Sequence, residues 1–359
     1  MSNPPLDPEM AVSRLSYRPR DLIGAMISVT YSPQPPRPMR ASCASSLGLL
    51  DRLPLELISI VLSMLDMQSI ARFASLSFQG NAFVQSHRTY RELVKFAPQT
   101  LWALGKVGLI GLHSAVQLHT ALRTDRCVSC LEYGAFLFLP TCERCCWECL
   151  CYNPLLRAIS PTQVKRYFGL DERDLEQLPD FYVIPGKYGI SSKPAPEPRR
   201  LISVAAAKRL GLMVHGSVAG LTKILDITCR SARQLFTAWY LQGGPPMPQV
   251  EDLLFLPDRP DILTDKFFGM ASVPFPSISK EGRIEDGLWC KGCEATFHRY
   301  DSLGLPQDVL AAMVPSNRHP EQVLLGFKRR ARSKQAFLDH VEHCYGAQQL
   351  VPSLGRRKD

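Results

Sequence analysis

The sequence predicts a mainly α-helical protein: an N-terminal helical unit, then an α-rich, loop-rich body with two structural metal sites and little β structure. Apolar residues recur at intervals of three and four in many segments, which is typical of amphipathic helices. Stretches rich in proline and glycine, of which the chain has 29 and 23, separate these segments. Most of the twelve cysteines fall into two groups, which indicates that bound metal helps to hold the loop-rich parts together.

The composition is that of a globular protein, with 45% hydrophobic and 21% charged residues in a chain of 359. No apolar run approaches the roughly 20 residues that a membrane helix needs. The opening residues, MSNPPLDPEM, contain acids and prolines but no apolar core, so no signal peptide is expected. We therefore expect the cytoplasm and/or the nucleus, where clustered cysteines bind metal more often than they form disulfides.

Composition shifts along the chain predict its domain organisation. The start is rich in Pro and Ser and contains Cys43, which predicts a disordered tail with a solvated thiol. The expected units are 1–47, the disordered tail; 48–95, a helical unit; 96–188, a helical region with the first cysteine group; 189–200, a linker or loop; 201–348, a helical region with the second cysteine group; and 349–359, a tail.

The first helical unit begins after residue 48. Pro54 suits the first turn of a helix, and Glu56 in that turn complements the helix dipole. One apolar stripe then follows at helical spacing, formed by Leu57, Ile60, Val61 and Met64. Asp66 is expected to cap a second helix, and a third is expected after Gly80. The apolar candidates of these two helices are Ile70, Phe73, Ala74, Val84, Tyr90, Leu93 and Val94.

Further helices are predicted where helix-forming residues alternate with apolar ones. The ranges are 114–123, two short helices within 160–179, 203–212, 217–241, 308–313 and 333–345, and residues 250–287 are expected to be mostly loop.

The first cysteine group, CVSCLEYGAFLFLPTCERCCWECLC, contains the pairs Cys127/Cys130 and Cys146/Cys149, with fifteen residues between them. A CxxC turn lets two thiolates converge on one ion, and two such turns complete a zinc tetrahedron with Zn–S distances of about 2.3 Å. The segment GAFLFLP between the pairs is expected to form a small hairpin or extended strand beside the metal.

This group contains more cysteines than one ion needs. Cys142 and Cys145 form a rival CxxC that could replace the second pair, and Cys151 is spare. A second ion would need His113 or His119 as well, so one ion is expected here.

The second cysteine group predicts another closed site. Cys290 and Cys293 form a CxxC, and His340 lies four residues before Cys344, which is about one helical turn. Phe337 and Val341 are expected to pack beneath them. His343 is an alternative ligand and His298 a weaker one.

No pattern of a catalytic centre is present, so an enzyme is not expected. The chain lacks a glycine-rich phosphate loop and a GxSxG motif. Cys229 has no evident base, and Asp171 with Glu172 is typical of a helix start.

The stretch LLDRLPLELISIVLSMLDMQSIARFASLS resembles an F-box. Its Leu-Pro-x-Glu-Leu opening is matched by Leu53, Pro54, Glu56 and Leu57. Later apolar positions are matched by Ile60, Leu65, Ile70, Phe73 and Leu76, whereas the third-helix region SFQGNAF departs from the family pattern. Together with both cysteine groups, residues 48–346 resemble a group of fungal F-box proteins. In those relatives the second cysteine pair lies in an Arg-x-Cys-x-x-Cys context, which matches Arg144, Cys146 and Cys149.

The resemblance implies an adaptor without enzymatic activity of its own. F-box proteins dock an apolar helical face onto a Skp-family linker of a cullin-based ubiquitin ligase and recruit a protein substrate for degradation. The expected contacts are Leu53, Pro54, Leu57, Ile60, Leu65 and Ile70. The alternative is that these side chains only fill the protein's own core.

A zinc-containing nucleic-acid-binding or regulatory protein is the second hypothesis. The net charge is +9, and GFKRRARSK at 326–334 clusters cations that could neutralise phosphates. The cysteine spacings match no groove-reading zinc finger, and a solvated basic surface also explains the charge.

Overall fold

The structure is a computed structural model that describes residues 7–28, 46–217, 220, 265–279 and 281–351. The described part is mainly helical with several small sheets, as expected. None of its helices is long and apolar enough to cross a bilayer. The helices are α1 Pro8–Leu15, α2 Arg20–Gly24, α3 Leu55–Met64, α4 Met67–Leu76, α5 Phe78–Ser86, α6 Arg88–Phe96, α7 Pro98–Val107, α8 Ala115–Arg123, α9 Trp147–Tyr152, α10 Pro161–Phe168, α11 Glu172–Glu176, α12 Val204–His215, α13 Lys291–Leu303, α14 Gln307–Met313, α15 Pro320–Arg329, α16 Lys334–His343 and α17 Tyr345–Leu350.

The strands are short, and two of the sheets, β1-β12 and β3-β2-β9, join segments that are distant in the chain. Two sheets have three strands, in the orders β3-β2-β9 and β4-β8-β5, and the pairs β1-β12, β6-β7 and β10-β11 are antiparallel ribbons. The strands are β1 Ser16–Tyr17, β2 Phe136–Phe138, β3 Glu143–Cys145, β4 Ala158–Ile159, β5 Asp180–Tyr182, β6 Gly186–Tyr188, β7 Lys193–Ala195, β8 Arg200–Ser203, β9 Ser272–Pro274, β10 Ser277–Ile278, β11 Ile284–Glu285 and β12 Trp289–Cys290.

The N-terminal helical unit begins as predicted, with Pro54 directly before α3 and the Asp66 carboxylate accepting from the Ser69 N–H at the start of α4. The single third helix expected after Gly80 is instead two helices, α5 and α6. α5 already begins at Phe78, because the Ser77 hydroxyl caps the Gly80 N–H.

The predicted helices at 114–123, 160–179, 203–212, 308–313 and 333–345 are confirmed, with small differences at their ends. Local caps account for several of them: Ser114 with Gln117, and Ser160 with Gln163, form capping boxes at α8 and α10. Cys43, Cys229 and nearly all of the predicted 217–241 helix lie outside the described residues.

Two predicted boundaries are wrong. Residues 7–28 belong not to a disordered tail but to α1, β1 and α2, which pack on the body; we call this segment the N-terminal strap. Residues 189–200 are not a plain linker, since β7 pairs with β6 and β8 begins at Arg200. The described residues within 265–287 are mostly loop, as expected, and contain the short strands β9, β10 and β11.

The largest apolar core contains the first cysteine group and the inner faces of α3 to α8. A separate small core surrounds the second cysteine group and includes Leu15 of the strap. Two others lie under α10 to α12 and between α13, α14 and α15.

Candidate metal centres

The first predicted ligand set converges in the structure. The sulfurs of Cys127, Cys130, Cys146 and Cys149 all lie within 4.8 Å of one another, and Cys130 Sγ is 3.5 Å from Cys146 Sγ. Four thiolates at about 2.3 Å from one zinc ion would be about 3.8 Å apart, so this spacing suits a tetrahedral ion. We call these four residues cluster 1.

Backbone geometry places each thiol of cluster 1. The Cys127 N–H donates to Glu132 O at 2.7 Å, and the Leu131 N–H donates to Cys127 O at 3.0 Å. This tight turn holds Leu131 at φ 62°, a left-handed conformation that is uncommon for a leucine. On the other side Cys146 caps α9, and the Cys149 N–H donates to Cys146 Sγ at 3.4 Å. The two CxxC turns therefore face each other.

A hairpin joins the two turns, as the sequence predicted for GAFLFLP. β2 pairs with β3 so that Phe136 lies opposite Cys145, directly before the second ligand pair. The sequence did not indicate the third strand, β9, which pairs with the other edge of β2. Residues from the second half of the chain thus support the first cluster.

Arg144 ties these parts together. Its side chain is 3% exposed and donates to four backbone carbonyls: Ala121 and Phe275 at 3.0 Å each, and Gly134 and Pro276. Burial lowers the pKa of Arg144 to about 10, so it remains charged at neutral pH. The Arg144 carbonyl also accepts from the Val128 N–H at 2.8 Å, inside the first CxxC. This residue therefore links both ligand pairs to the surrounding fold.

The surplus cysteines lie outside cluster 1. Cys145 is fully buried and donates from Sγ to Phe136 O at 3.6 Å. Burial raises the pKa of Cys142 to about 12 and raises the pKa of Cys145 and Cys151 well above the ordinary value.

The two histidines that a second ion would need are engaged elsewhere. His113 Nε2 is 2.6 Å from Leu139 O. His119 Nε2 is 2.7 Å from Glu92, which also accepts from Arg88 and Arg123. Among the described residues, this block therefore offers one set of ligands that converge.

The four thiols of cluster 1 shift one another's pKa values in opposite directions. Hydrogen bonds from the thiols of Cys130, Cys146 and Cys149 lower the pKa of Cys127 strongly. The thiolate of Cys127 in turn raises the pKa of Cys146, and burial raises that of Cys149. A divalent cation at the centre would let all four ionise together.

The second predicted ligand set also converges. Cys290 Sγ is 3.8 Å from Cys344 Sγ, and Cys293 Sγ is 3.9 Å from Cys344 Sγ and 3.1 Å from His340 Nε2. The four ligand atoms lie within 4.8 Å of one another. His340, not the exposed His343 or His298, supplies the nitrogen. We call the four ligand residues cluster 2.

Close helix packing brings cluster 2 together. Cys293 lies on α13, His340 on α16, and Cys344 precedes α17. α13 and α17 meet through glycines: a Cβ on Gly346 would lie 2.0 Å from Gly292 O, and one on Gly292 would lie 2.2 Å from Ala347 N. Only glycine permits this approach, which sets the distance between the CxxC and Cys344.

The N-terminal strap covers cluster 2. β1 pairs with β12 so that Ser16 lies opposite Cys290, a ligand residue. Leu15 is 1% exposed and belongs to the same small core as Cys290, Cys293 and Cys344. The Lys291 ammonium donates to Arg14 O at 2.9 Å. The sequence does contain a signal for the start of α1: Asp7, Pro8 and Glu9 are typical of a helix N-terminus. In the structure the Asp7 carboxylate accepts from the Met10 N–H.

The predicted partner-binding residues fall into two groups. Leu53, Pro54, Leu57 and Ile60 are exposed, and α3 instead buries Ile58 and Leu62. Leu65 is half-buried, and Ile70 is 1% exposed. The prediction that Ile70 is a surface contact is therefore wrong, because α4 turns this residue into the core. The exposed apolar face also includes Leu55, Val61 and Met64.

Comparison of the chain with protein-family models, with curated proteins and with solved structures found no match.

Proposed function

We propose that this protein is an F-box adaptor of a cullin-based ubiquitin ligase, which docks a Skp-family linker and recruits a protein substrate for degradation. In this proposal the chain has no enzymatic activity and acts in the cytoplasm and/or the nucleus. The protein would act only by binding: one apolar face contacts the linker, and the remainder of the body contacts the substrate.

The observation that carries the proposal is the exposed apolar face around α3. Leu53, Leu57 and Ile60 are 40%, 47% and 55% exposed, and Met64 is 69% exposed. Contiguous exposed aliphatic side chains on one short segment mark interaction sites, because solvent exposure of such a patch is unfavourable. Helix faces of this kind dock into apolar grooves through a few aliphatic anchors. The alternative that these anchors fill the protein's own core is disfavoured by their exposure.

The two clusters support a structural role for metal, and we propose zinc in both. A set of four cysteines, or of three cysteines and one histidine, with CxxC spacing is typical of closed structural zinc sites. The residues supply four ligands in each case, so nothing in either set indicates an open position for a substrate. Zinc in these sites would stabilise the loop-rich body that presents the substrate surface.

The basic run at 326–334 does not favour the nucleic-acid hypothesis, because contacts within the protein engage its cations. Arg330 pairs with Glu132 at 3.2 Å, Lys334 pairs with Glu9, and Arg332 is 8% exposed. Lys328 lies over the Phe297 ring at 5.3 Å from its centroid. A phosphate would have to compete with these contacts for the same cations.

The test is co-purification of the chain with a Skp-family protein. We expect Leu53→Ala combined with Leu57→Ala to abolish the association, because both anchors lie on the exposed face. Leu303→Ala combined with Leu350→Ala is the matched control, since these leucines are 86% and 51% exposed on other helices. Association that persists in the Leu53/Leu57 variant, with both variants folded, would refute the docking assignment.

A further inference from the structure

Helix α8 lies between α3, which carries the proposed docking face, and cluster 1. At the start of α8 the Ala115 N–H donates to Leu65 O at 2.8 Å, and Leu65 is the residue that ends α3. Ser114, the cap of α8, also forms an antiparallel bridge with Asp66, the cap of α4. The first turn of α8 therefore fixes the junction between α3 and α4.

The other end of α8 is attached to cluster 1. Arg144 Nε donates to Ala121 O at 3.0 Å, and Arg144 lies two residues before the ligand Cys146. The Arg144 carbonyl accepts from the Val128 N–H at 2.8 Å, inside the first CxxC turn. Only three residues separate the end of α8 from Cys127. The last turn of α8 and the ligand turns of cluster 1 are therefore held together.

A half-buried carboxylate also fastens α8 to α6. Glu92 on α6 lies 2.7 Å from His119 Nε2 and accepts from Arg123 Nε at 3.0 Å, and both of these residues belong to α8. Burial by itself would raise the pKa of Glu92, but hydrogen bonds from its neighbours, Arg123 first among them, lower the pKa to about 2. The carboxylate is therefore ionised at neutral pH and binds α8 to the N-terminal helical unit.

Helix α3 depends on this packing, because it buries little surface of its own. It is 10 residues long, and only Ile58 and Leu62 among them are buried. Isolated helices shorter than about 12–15 residues are marginal in water, so tertiary contacts must hold α3 in place. Part of these contacts come from α8, and both helices share their apolar core with cluster 1. The order of the docking face therefore depends on α8.

We propose that the ion of cluster 1 regulates linker docking through α8, so that metal binding and linker binding stabilise each other. This inference rests on the proposed function. The ion and the linker both favour the state in which α8 is packed between cluster 1 and α3, so each raises the affinity for the other by the same factor. Cluster 2 should not have this effect, because in the described residues its small core is separate from the core of α3 and α8.

Metal competition with the full chain tests the coupling. The chain is loaded with two equivalents of zinc and titrated with EDTA, with and without a saturating, metal-free Skp-family protein. His340→Ala, which should carry only the ion of cluster 1, identifies the equivalent that responds. We expect the Skp-family protein to raise about tenfold the EDTA concentration that removes half of this equivalent, since such couplings are typically about 5–150-fold.

Glu92→Gln separates the coupling from the two binding sites. It changes no ligand residue and no residue of the docking face, but it replaces the charged acceptor that holds Arg123 to α6. The variant should keep both metal equivalents and bind the Skp-family protein, whereas the shift in EDTA concentration should fall to about threefold or less. Glu172→Gln is the matched control, since it removes an exposed ion pair with Lys165 and should leave the shift unchanged.

Three results would overturn the inference and leave linker docking standing. The first is an EDTA titration that bound Skp-family protein does not change, which would make the docking unit independent of cluster 1. The second is equal protection of both metal equivalents, and the third is a full tenfold shift in Glu92→Gln. If the wild-type chain does not bind the Skp-family protein at all, the proposed function fails and this inference fails with it, so the two failures are distinguishable.

Discussion

Clusters 1 and 2 offer the same number of ligands but occupy opposite kinds of surroundings. Cluster 1 takes all its ligands from 127–149, joined by a hairpin, and lies in the largest apolar core. Cluster 2 takes its ligands from 290–344, has its own small core, and is covered by the strap from the other end of the chain. Cluster 1 organises a local unit, whereas cluster 2 fastens distant segments to each other.

This difference indicates that loss of metal has different consequences at the two sites. Removing the ion from cluster 1 leaves four buried or half-buried thiols within the main core, next to β2 and α9. Loss of an ion from cluster 2 would leave the main core intact and would remove one link between α13, α16 and the segment under the strap. We therefore expect global unfolding in the first case and local opening in the second.

The largest effect is expected for Cys149→Ala in cluster 1. Structural zinc contributes roughly 10–16 kcal/mol to folding in small zinc units, which is comparable to the whole net stability of a domain, about 5–15 kcal/mol. We expect the variant to lose one metal equivalent and its cooperative thermal transition. Metal analysis and circular dichroism measure these outcomes.

Cys142→Ser is the control for that variant, because Cys142 lies in the same block but outside cluster 1. It should keep full metal content and a cooperative transition. A Cys149→Ala protein that retains two metal equivalents would show that cluster 1 is not a binding site.

His340→Ala should remove the ion of cluster 2 and open the strap. Hydrogen exchange is expected to accelerate in residues 8–27 and in α16, because the pairing of Ser16 with Cys290 depends on the ligand segment. Residues 136–145 should keep their protection. His343→Ala, which changes an exposed histidine on the same helix, should alter neither. If His340→Ala accelerated hydrogen exchange equally in residues 136–145 and in the strap, the two sites would not be independent.

Arg144→Met separates the contribution of the fold around cluster 1 from that of the metal. The change leaves four carbonyls without their donor, and we expect a loss of roughly 3–5 kcal/mol in the free energy of unfolding. Metal content at room temperature should persist, since all four ligands remain. Chemical denaturation measures this loss. Arg126→Met, at an exposed arginine, is the control and should lower the free energy of unfolding by less than about 0.5 kcal/mol.

The smallest effect is expected for Glu9→Gln, which removes an exposed ion pair between the strap and Lys334. Such pairs contribute about 0–1 kcal/mol, so hydrogen exchange in the strap should hardly change. Leu15→Ala should strongly accelerate hydrogen exchange in the strap, because truncating a buried leucine lowers the free energy of unfolding by about 2–5 kcal/mol. If the two variants opened the strap equally, charge rather than burial would hold it over cluster 2.

Local patterns predicted much of the fold and of the candidate sites. The CxxC turns, the His340–Cys344 spacing and the capping residues of α4, α8 and α10 all act over a few neighbouring residues. Apart from β2 in the predicted GAFLFLP hairpin, the strands escaped prediction, because elements of two to four residues are too short to show an alternating pattern. The strap was missed because the Pro- and Ser-rich composition around it outweighed its single cap signal at Asp7.

By itself the sequence determined which residue types can bind metal, how they are spaced, and where amphipathic helices begin, since these depend on short-range geometry. Only the tertiary structure decided that Ile70 points inward while Ile60 faces solvent, and that Leu15 covers Cys290. It also decided that Lys95 borders a cavity shared by four segments. Burial is a property of what packs against a side chain, and those neighbours lie far away in the chain.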